Sequence, residues 1–199
     1  EMRESDWSSD VCSSDLVNTS GTPKTGALSA TATYSKADGI YAVSGGSNTV
    51  GNVDDKLAGI TSITATGAFG TYGIYASGKD AAGKESNNAV QMDGSLTATN
   101  TSTGAAFGIF ANNTGDNVVE GVTDIKADNQ GKTGTYNAYG VTARGSGSTN
   151  KINEAITEVT ENNAKGSVTA TTQTGAAYAI AATDSGANTI GGVTSVEAK

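Results

Sequence analysis

A six-residue motif occurs three times in this chain and limits the folds that it can adopt. The copies read GALSAT at 26–31, GSLTAT at 94–99 and GSVTAT at 166–171. Their first residues lie 68 and 72 positions apart. A nearly fixed interval of this kind is typical of repeat architectures, in which each unit buries its apolar face against the next.

A second motif divides each long unit into halves of about 35 residues. It reads GITSITA at 59–65, GVTDIKA at 121–127 and GVTSVEA at 192–198, and AITEVTE at 155–161 is a degraded copy. Both motifs contain an aliphatic residue followed two positions later by alanine, which predicts a strand with both side chains on one face. These pairs are Leu28-Ala30, Ile63-Ala65, Leu96-Ala98, Ile125-Ala127 and Val168-Ala170.

A third pattern combines an aromatic residue, an aliphatic residue and alanine at steps of two. Its copies are Tyr72-Ile74-Ala76, Phe107-Ile109-Ala111, Tyr139-Val141-Ala143 and Tyr178-Ile180-Ala182, with Ile40-Ala42 as an earlier copy that lacks the ring. The step of two predicts that all three side chains share one strand face, so we expect the rings to pack in the core beside the aliphatic residues. A sugar-stacking surface is the alternative role for the rings.

Each aromatic strand is followed by a turn rich in Gly, Ser, Asp and Asn that ends in asparagine, a variable residue and an aliphatic residue. The asparagines are Asn48, Asn88, Asn117, Asn150 and Asn188. Such turn residues supply positive φ angles and local side-chain hydrogen bonds. One asparagine per half-unit predicts a stacked ladder in which each amide bonds to the next.

Short strands at regular spacing, a single proline (Pro23) and a period of 30 to 40 residues predict an all-β fold. We expect a parallel β-helix, or β-solenoid, of about five coils, with its handedness left open. Aromatic residues make up only 6% of the chain and there are 27 glycines, so many small side chains must be buried along an extended axis. The solenoid is assigned to 26–199, with long units at 26–93 and 94–165 and a partial unit at 166–199.

One segment fits two kinds of secondary structure. Ile152, Ile156 and Val159 recur at a spacing that also suits a helical face with a period near 3.6. We prefer a strand because AITEVTE aligns with GVTDIKA, and a short helix is the alternative.

The first sixteen residues, EMRESDWSSDVCSSDL, differ from all that follow. They contain the only tryptophan, Trp7, and the only cysteine, Cys12. The string resembles a translated sequencing-adapter read-through, and a natural, disordered acidic leader is the alternative. In either case 1–16 is placed outside the fold and 17–25 is treated as a linker. The rest of the chain lacks cysteine, so it is expected to contain no disulfide or thiol chemistry.

The formal net charge is −8, and residues 1–16 contribute half of it. No segment is rich in Lys and Arg, so nucleic acid and anionic membranes are not expected as partners. The sequence also lacks an apolar run near the ~20 residues of a membrane-spanning helix and lacks a signal peptide. We expect no membrane contact by this segment, and expect the chain to be a fragment if the protein is secreted.

The residue types for catalysis are sparse. Histidine is absent, which excludes Ser-His-Asp and Cys-His catalysis and histidine-containing zinc sites. Carboxylate pairs remain, but the acids are expected mostly in turns, where solvation explains them. They are Asp54, Asp55, Asp80, Asp93, Asp116, Asp124 and Asp184. GGxGxD calcium repeats occur only as isolated fragments. We therefore expect a protein that is not an enzyme and that has no metal or cofactor.

The segments GIYA, SGGSNTV and GVTDIKA resemble the passenger domains of bacterial autotransporters, the type V secreted proteins. The resemblance covers 26–199 and lies in the repeat pattern. It implies a β-helical passenger that crosses the outer membrane unfolded, between a signal peptide and a C-terminal translocating β-barrel. The lack of cysteine fits that route, because an early disulfide would obstruct passage through a narrow pore.

This resemblance implies a structural or adhesive segment on the bacterial cell surface, outside the cell and anchored in the outer membrane through the barrel. A host surface or a glycan would be its ligand. A β-helical polysaccharide-degrading module is one alternative, and clustered Asp and Lys/Arg in an exposed groove would support it. A cell-wall or S-layer repeat protein is another, which a neighbouring anchoring domain would identify.

Overall fold

The computed structural model describes residues 26–51, 60–154 and 166–199. These residues form twelve β-strands and no helix. Every ladder between the strands is parallel. The prediction of an all-β fold is therefore confirmed, and the sheet is a parallel one. Among the described residues, no helix is long and apolar enough to cross a membrane.

The strands differ widely in length, and the three longest pass from one set of partners to another. They are β1 (Gly26–Thr31), β2 (Ala37–Val43), β3 (Ser47–Val50), β4 (Ile60–Ser77), β5 (Asn87–Asn112), β6 (Asp116–Asn129), β7 (Ala138–Arg144), β8 (Thr149–Ile152), β9 (Ser167–Thr172), β10 (Ala177–Thr183), β11 (Ala187–Ile190) and β12 (Ser195–Ala198).

The pairing falls into three rows of strand segments. The first row holds β1, the start of β4, the middle of β5, the end of β6, β9 and β12. The second row holds β2, the ends of β4 and β5, β7 and β10. The third row holds β3, the starts of β5 and β6, β8 and β11. Strand segments next to each other in a row are therefore separated in sequence by one half-unit, which is called one repeat below.

The sequence repeats align as cross-strand register. In the first row Ile63 is paired with Leu28 on one side and Leu96 on the other. In the second row Ile74 lies between Ile40 and Ile109 in the same way. A slip of one residue would turn every aliphatic side chain to the opposite face, so the apolar pattern fixes the register.

The aliphatic side chains of the three rows meet in one buried cluster. Ile63 and Leu96 from the first row, Ile74 from the second and Val119 from the third have no exposed surface. Burial of each such side chain contributes roughly 1.5–3 kcal/mol to folding. The core is thus a column of medium-sized aliphatic residues, as the composition requires.

The third row was not predicted as strand. The sequence reading placed the asparagine, variable and aliphatic residues at the end of a turn, but they form the short strands β3, β8 and β11 and the starts of β5 and β6. Backbone pairing with the neighbouring repeats supplies the hydrogen bonds that extend these residues.

Several predictions concern parts of the chain outside the described residues. These parts include the leader 1–16, the linker 17–25, the segment AITEVTE at 155–161, and the acids Asp54 and Asp55. The assignments made for them from sequence stay predictions.

Candidate functional site

The five asparagines picked out by the repeat are joined by side-chain hydrogen bonds in one chain, here called the asparagine ladder. The Nδ2 of Asn48 donates to Oδ1 of Asn88 over 2.9 Å, and Asn88 donates to Asn117 over 2.8 Å. Asn117 donates to Asn150 over 2.9 Å, and Asn150 to Asn188 over 2.8 Å. Every amide therefore contacts the amide one repeat away.

Each ladder amide also ties the third row to the second. Its Nδ2 donates a further hydrogen bond to a backbone carbonyl near the end of the preceding second-row segment, at distances of 2.6 to 3.0 Å. The acceptors are the carbonyl oxygens of Tyr41, Tyr75, Phe110, Thr142 and Ala181. In Asn48, Asn88, Asn117 and Asn150 the Nδ2 donates both bonds, whereas Asn188, the last of the ladder, donates only to the carbonyl, and these bonds hold the third row against the second.

Two serines brace the same bend, and the sequence reading missed them. Ser86 Oγ accepts a hydrogen bond from the backbone N–H of Gly45 over 2.9 Å, and Ser148 Oγ accepts one from Thr114 over 3.0 Å. Each hydroxyl donates in turn to a carbonyl at the end of the preceding second-row strand. The available signal was their position, two residues before a ladder asparagine.

Two more buried asparagines, outside the ladder, lie at the ends of first-row segments. Asn100 and Asn129 are no more than 1% exposed. Asn100 Oδ1 accepts from the backbone of Ser102, and Asn129 Oδ1 accepts from that of Gly131, both over 3.0 Å. These residues are paired in register, so a periodic search of segment ends would have found them.

The four predicted rings stack on one another in what is called here the ring column. The centroids of Tyr72 and Phe107 are 4.9 Å apart with planes 1° from parallel. Phe107 and Tyr139 are 4.8 Å apart at 4°, and Tyr139 and Tyr178 are 5.0 Å apart at 9°. The rings follow the strand spacing, since they occupy one register position in successive repeats.

The ring column lies outside the aliphatic core, so the predicted interior position of the rings is wrong. Tyr72, Phe107 and Tyr139 are half-buried, and Tyr178 is 44% exposed. Of the described residues, no aromatic side chain belongs to the buried aliphatic cluster. The column forms a strip along the outer surface of the second row.

The glycine between ring and aliphatic residue explains the error. A Cβ placed on Gly73 would lie 2.5 Å from Leu96 Cδ2, so this position faces the core. Ile74, the next residue, is also fully buried. Because Gly73 and Ile74 both face the core, the in-and-out alternation of side chains is interrupted between them. Tyr72, on the other side of Gly73, therefore faces outward. Gly108 and Gly140 repeat this geometry against core side chains.

The aliphatic members of the pattern are placed as expected, with one exception. Ile40, Ile74, Ile109 and Val141 have no exposed surface, whereas Ile180 is 41% exposed. Ile180 lies in β10, which among the described strands is paired only with β7. One side of this strand is therefore open.

Three further rings lie beside the ring column. Tyr41 and Tyr75 are 5.2 Å apart, and Tyr75 and Phe110 are 5.4 Å apart. Tyr72 contacts Tyr75 at 4.8 Å, which joins the two sets. Ring faces inside the column are covered by their neighbours, so a sugar has no free face on which to stack at its inner members.

The N-terminal end of the column carries a charged pair in place of a ring. Asp38 is paired in register with Tyr72, and Lys36 Nζ lies 3.2 Å from Asp38 Oδ2. The same Nζ lies 4.4 Å from the ring centroid of Tyr41, 4.6 Å from that of Tyr72 and 5.3 Å from that of Tyr75. One ammonium group thus faces three rings and a carboxylate.

Burial shifts the ionisation of this end of the column. Desolvation raises the pKa of Asp38, although the positive charge of Lys36 partly opposes this. Desolvation, with the negative charges of Tyr75, Asp38 and Tyr41, raises the pKa of Tyr72 to about 12. Both shifts favour the neutral forms.

The described acids are divided between turns and strands. Asp80 and Asp184 lie in turns, as predicted, and Asp80 Oδ1 accepts from the backbone of its own turn. Asp93, Asp116 and Asp124 lie in strands, so the turn assignment is wrong for them. Among the described residues, no cluster of three or more His, Cys, Asp or Glu side chains is suited to a metal ion.

Comparison of the chain with protein-family models, with curated proteins and with solved structures found no match. What the protein does is therefore inferred from its own residues.

Proposed function

We propose that 26–199 is a stretch of parallel β-helix of about five coils, one for each 30 to 40 residues, and that it serves as a structural or adhesive segment of a surface-displayed bacterial protein. The segment would be non-enzymatic and would belong to a passenger of the autotransporter type. A host surface or a glycan would be its ligand.

The observation that carries the proposal is the order in which the chain visits the rows. β5 runs from the third row through the first to the second, and β4 runs from the first to the second. A chain that returns to the same row after every repeat, always parallel, describes a coil. Each added coil lengthens the molecule by about 4.8 Å, so the architecture suits a spacer or stalk.

Two further features support a displayed passenger. Most packing in a coiled repeat is between neighbouring coils, so such a chain can fold progressively as it emerges from a narrow pore. Beyond residue 16 the sequence contains no cysteine, so no disulfide would form before passage.

A disulfide test addresses the coil. Thr64 and Thr97 are register partners in adjacent repeats, whereas Thr64 and Thr99 are offset by two residues. In a chain carrying Cys12→Ser, we expect the double variant Thr64→Cys, Thr97→Cys to crosslink on oxidation, because register partners approach within disulfide range. The matched double variant Thr64→Cys, Thr99→Cys should not crosslink. Preferential crosslinking of the offset pair would contradict the proposed coil.

Two measurements address the surface role. The open reading frame that follows this segment should encode strands of about ten residues with alternating apolar and polar positions, as in an outer-membrane barrel. Absence of such strands from the intact gene would refute the autotransporter assignment.

Beads coated with 17–199 should adhere to host cells or glycans, and beads coated with an unfolded Ile109→Asp variant should not. Equal adhesion of both would refute a role for the folded surface.

A further inference from the structure

The N-terminal end of the ring column has the geometry of a cation site. Lys36 Nζ lies 4.4 to 5.3 Å from the centroids of Tyr41, Tyr72 and Tyr75. All three distances fall within the roughly 6 Å over which an ammonium group is attracted to a ring face. We propose that these rings, with Asp38, form a binding site for alkylammonium cations that Lys36 occupies in this structure.

The carboxylate of Asp38 provides the second recognition element. Its Oδ2 contacts Lys36 at 3.2 Å. Its Oδ1 is buried and has no hydrogen-bond partner among the described residues. The carboxylate therefore keeps an electrostatic attraction for a positive charge held within about 4–6 Å, and this attraction does not require an N–H donor on the cation.

The position of Lys36 allows it to leave the site. It lies just before β2, outside the paired strand residues, and its side chain is 36% exposed. Moving the ammonium into water breaks no strand pairing. The lysine therefore acts as an internal competitor. The apparent affinity of a ligand equals its intrinsic affinity multiplied by the fraction of time for which Lys36 is away.

The chemistry of the walls defines the ligand class. Aromatic rings that surround a carboxylate-paired cation suit quaternary ammonium groups, which lose little hydration and spread their charge over methyl groups. Two sources carry this group: a choline-type small molecule and a methylated lysine side chain. The site recognises the shared trimethylammonium group.

Titration with tetramethylammonium chloride tests the site directly. The unmodified chain and the variants Lys36→Ala and Lys36→Gln would be titrated while the tyrosine ring resonances are followed by NMR, with sodium chloride at equal ionic strength as the blank. We expect both variants to bind about tenfold more tightly than the unmodified chain, the factor that applies if Lys36 is absent about a tenth of the time. Folded variants that do not bind, or that bind as the unmodified chain does, would overturn the proposal.

Matched substitutions in the Lys36→Ala background locate the binding. Tyr41→Phe keeps a ring and should retain affinity, whereas Tyr41→Leu should lose it and Asp38→Asn should weaken it. Tyr178→Leu, at the other end of the ring column, should have no effect. Equal losses from Tyr41→Leu and Tyr178→Leu would refute the assigned location. Choline and N-trimethyl-lysine amide, titrated in parallel, distinguish the two sources by the tighter ligand.

This site does not depend on the proposed surface role. Binding of tetramethylammonium by a chain that fails to adhere to cells would retain the cation site and reject adhesion. Adhesion without cation binding would do the reverse.

Discussion

Asn117 donates a hydrogen bond from its Nδ2 to Oδ1 of Asn150 over 2.9 Å, and neither side chain has exposed surface. Hydrogen bonds in such a low-dielectric setting are strengthened, and successive amides polarise one another. The same setting makes any gap in the asparagine ladder expensive, because the neighbouring amides cannot turn to water.

Replacement of Asn117 with alanine should destabilise the fold by about 3 kcal/mol. The change removes bonds to Asn88, Asn150 and the carbonyl of Phe110, and each buried group left unpaired costs roughly 1–3 kcal/mol. Urea unfolding followed by circular dichroism measures the loss. Asn112→Ala is the control, because its half-buried amide donates only a long hydrogen bond of 3.3 Å, to Ser77 Oγ. Equal losses would contradict the ladder's contribution.

Gly73→Ala should lower stability by about 1–3 kcal/mol or more through overpacking. The added Cβ would lie 2.5 Å from both Gly108 O and Leu96 Cδ2, and the former is backbone that cannot easily move. Thermal melting measures the effect. Ala179 occupies the same position in a later repeat and is buried, so Ala179→Gly should cost no more than about 1 kcal/mol. A harmless Gly73→Ala would disprove the inward position of this residue.

Ile109→Asp should unfold the neighbouring repeats. The side chain has no exposed surface and lies in the aliphatic cluster, so the carboxylate would be buried without a partner. Loss of the β-sheet circular dichroism signal reports the result. The half-buried Thr97, a strand residue on the opposite face, provides the control through Thr97→Ser, which should change stability by less than about 0.5 kcal/mol. Native-like melting of Ile109→Asp would reverse the assignment of faces.

The Tyr72 phenol should ionise at a higher pH than that of an ordinary tyrosine. Its pKa is raised from 10.0 to about 12 in the fold, so the folded state favours the neutral phenol. The resulting stabilisation is fully present below pH 10 and is lost as the pH rises through about 12. The difference in phenolate absorbance between the unmodified chain and Tyr72→Phe isolates this group. A midpoint near 10 in that difference would contradict the buried environment.

The register of the fold could be predicted from the repeat because an aliphatic residue and an alanine at a step of two leave little freedom. Leu96 and Ile125 hold equal positions in two copies of the pattern, and the structure pairs them directly. A slip of one residue would turn one of them to the opposite face and expose it to water. The spacing of the aliphatic residues in the sequence therefore predicts which residues are paired across neighbouring strands.

The outward position of the rings could not be predicted from alternation. A strict step of two places Tyr72 and Ile74 on one face, and only a local change of backbone phase at Gly73 separates them. Such a change leaves no trace in the apolar pattern except the small residue itself. The short third-row strands were missed for a related reason, since the turn composition around Asn48 hides four residues that are extended by neighbouring repeats.

The cation site lies where the repeat fails. Asp38 stands at the register position that later repeats give to a ring, and Lys36 covers the exposed face of Tyr72. A search for what is common to all repeats discards this difference. Departures from the period are informative, because a function confined to one repeat needs a residue that the other repeats lack.

The loop between β4 and β5, residues 78–86, is held together where it leaves the sheet. Lys79 and Glu85 form an isolated antiparallel bridge there, and the backbone of Ser86 donates to Gly78 over 2.9 Å. Ala82 and Gly83 are exposed at its tip, and a Cβ on Gly83 would contact nothing within 4 Å. Surface tips of this kind accept insertions at little entropic cost. A foreign epitope grafted between these two residues would be presented on a loop whose two ends are fixed, which makes this protein a candidate carrier for vaccine peptides.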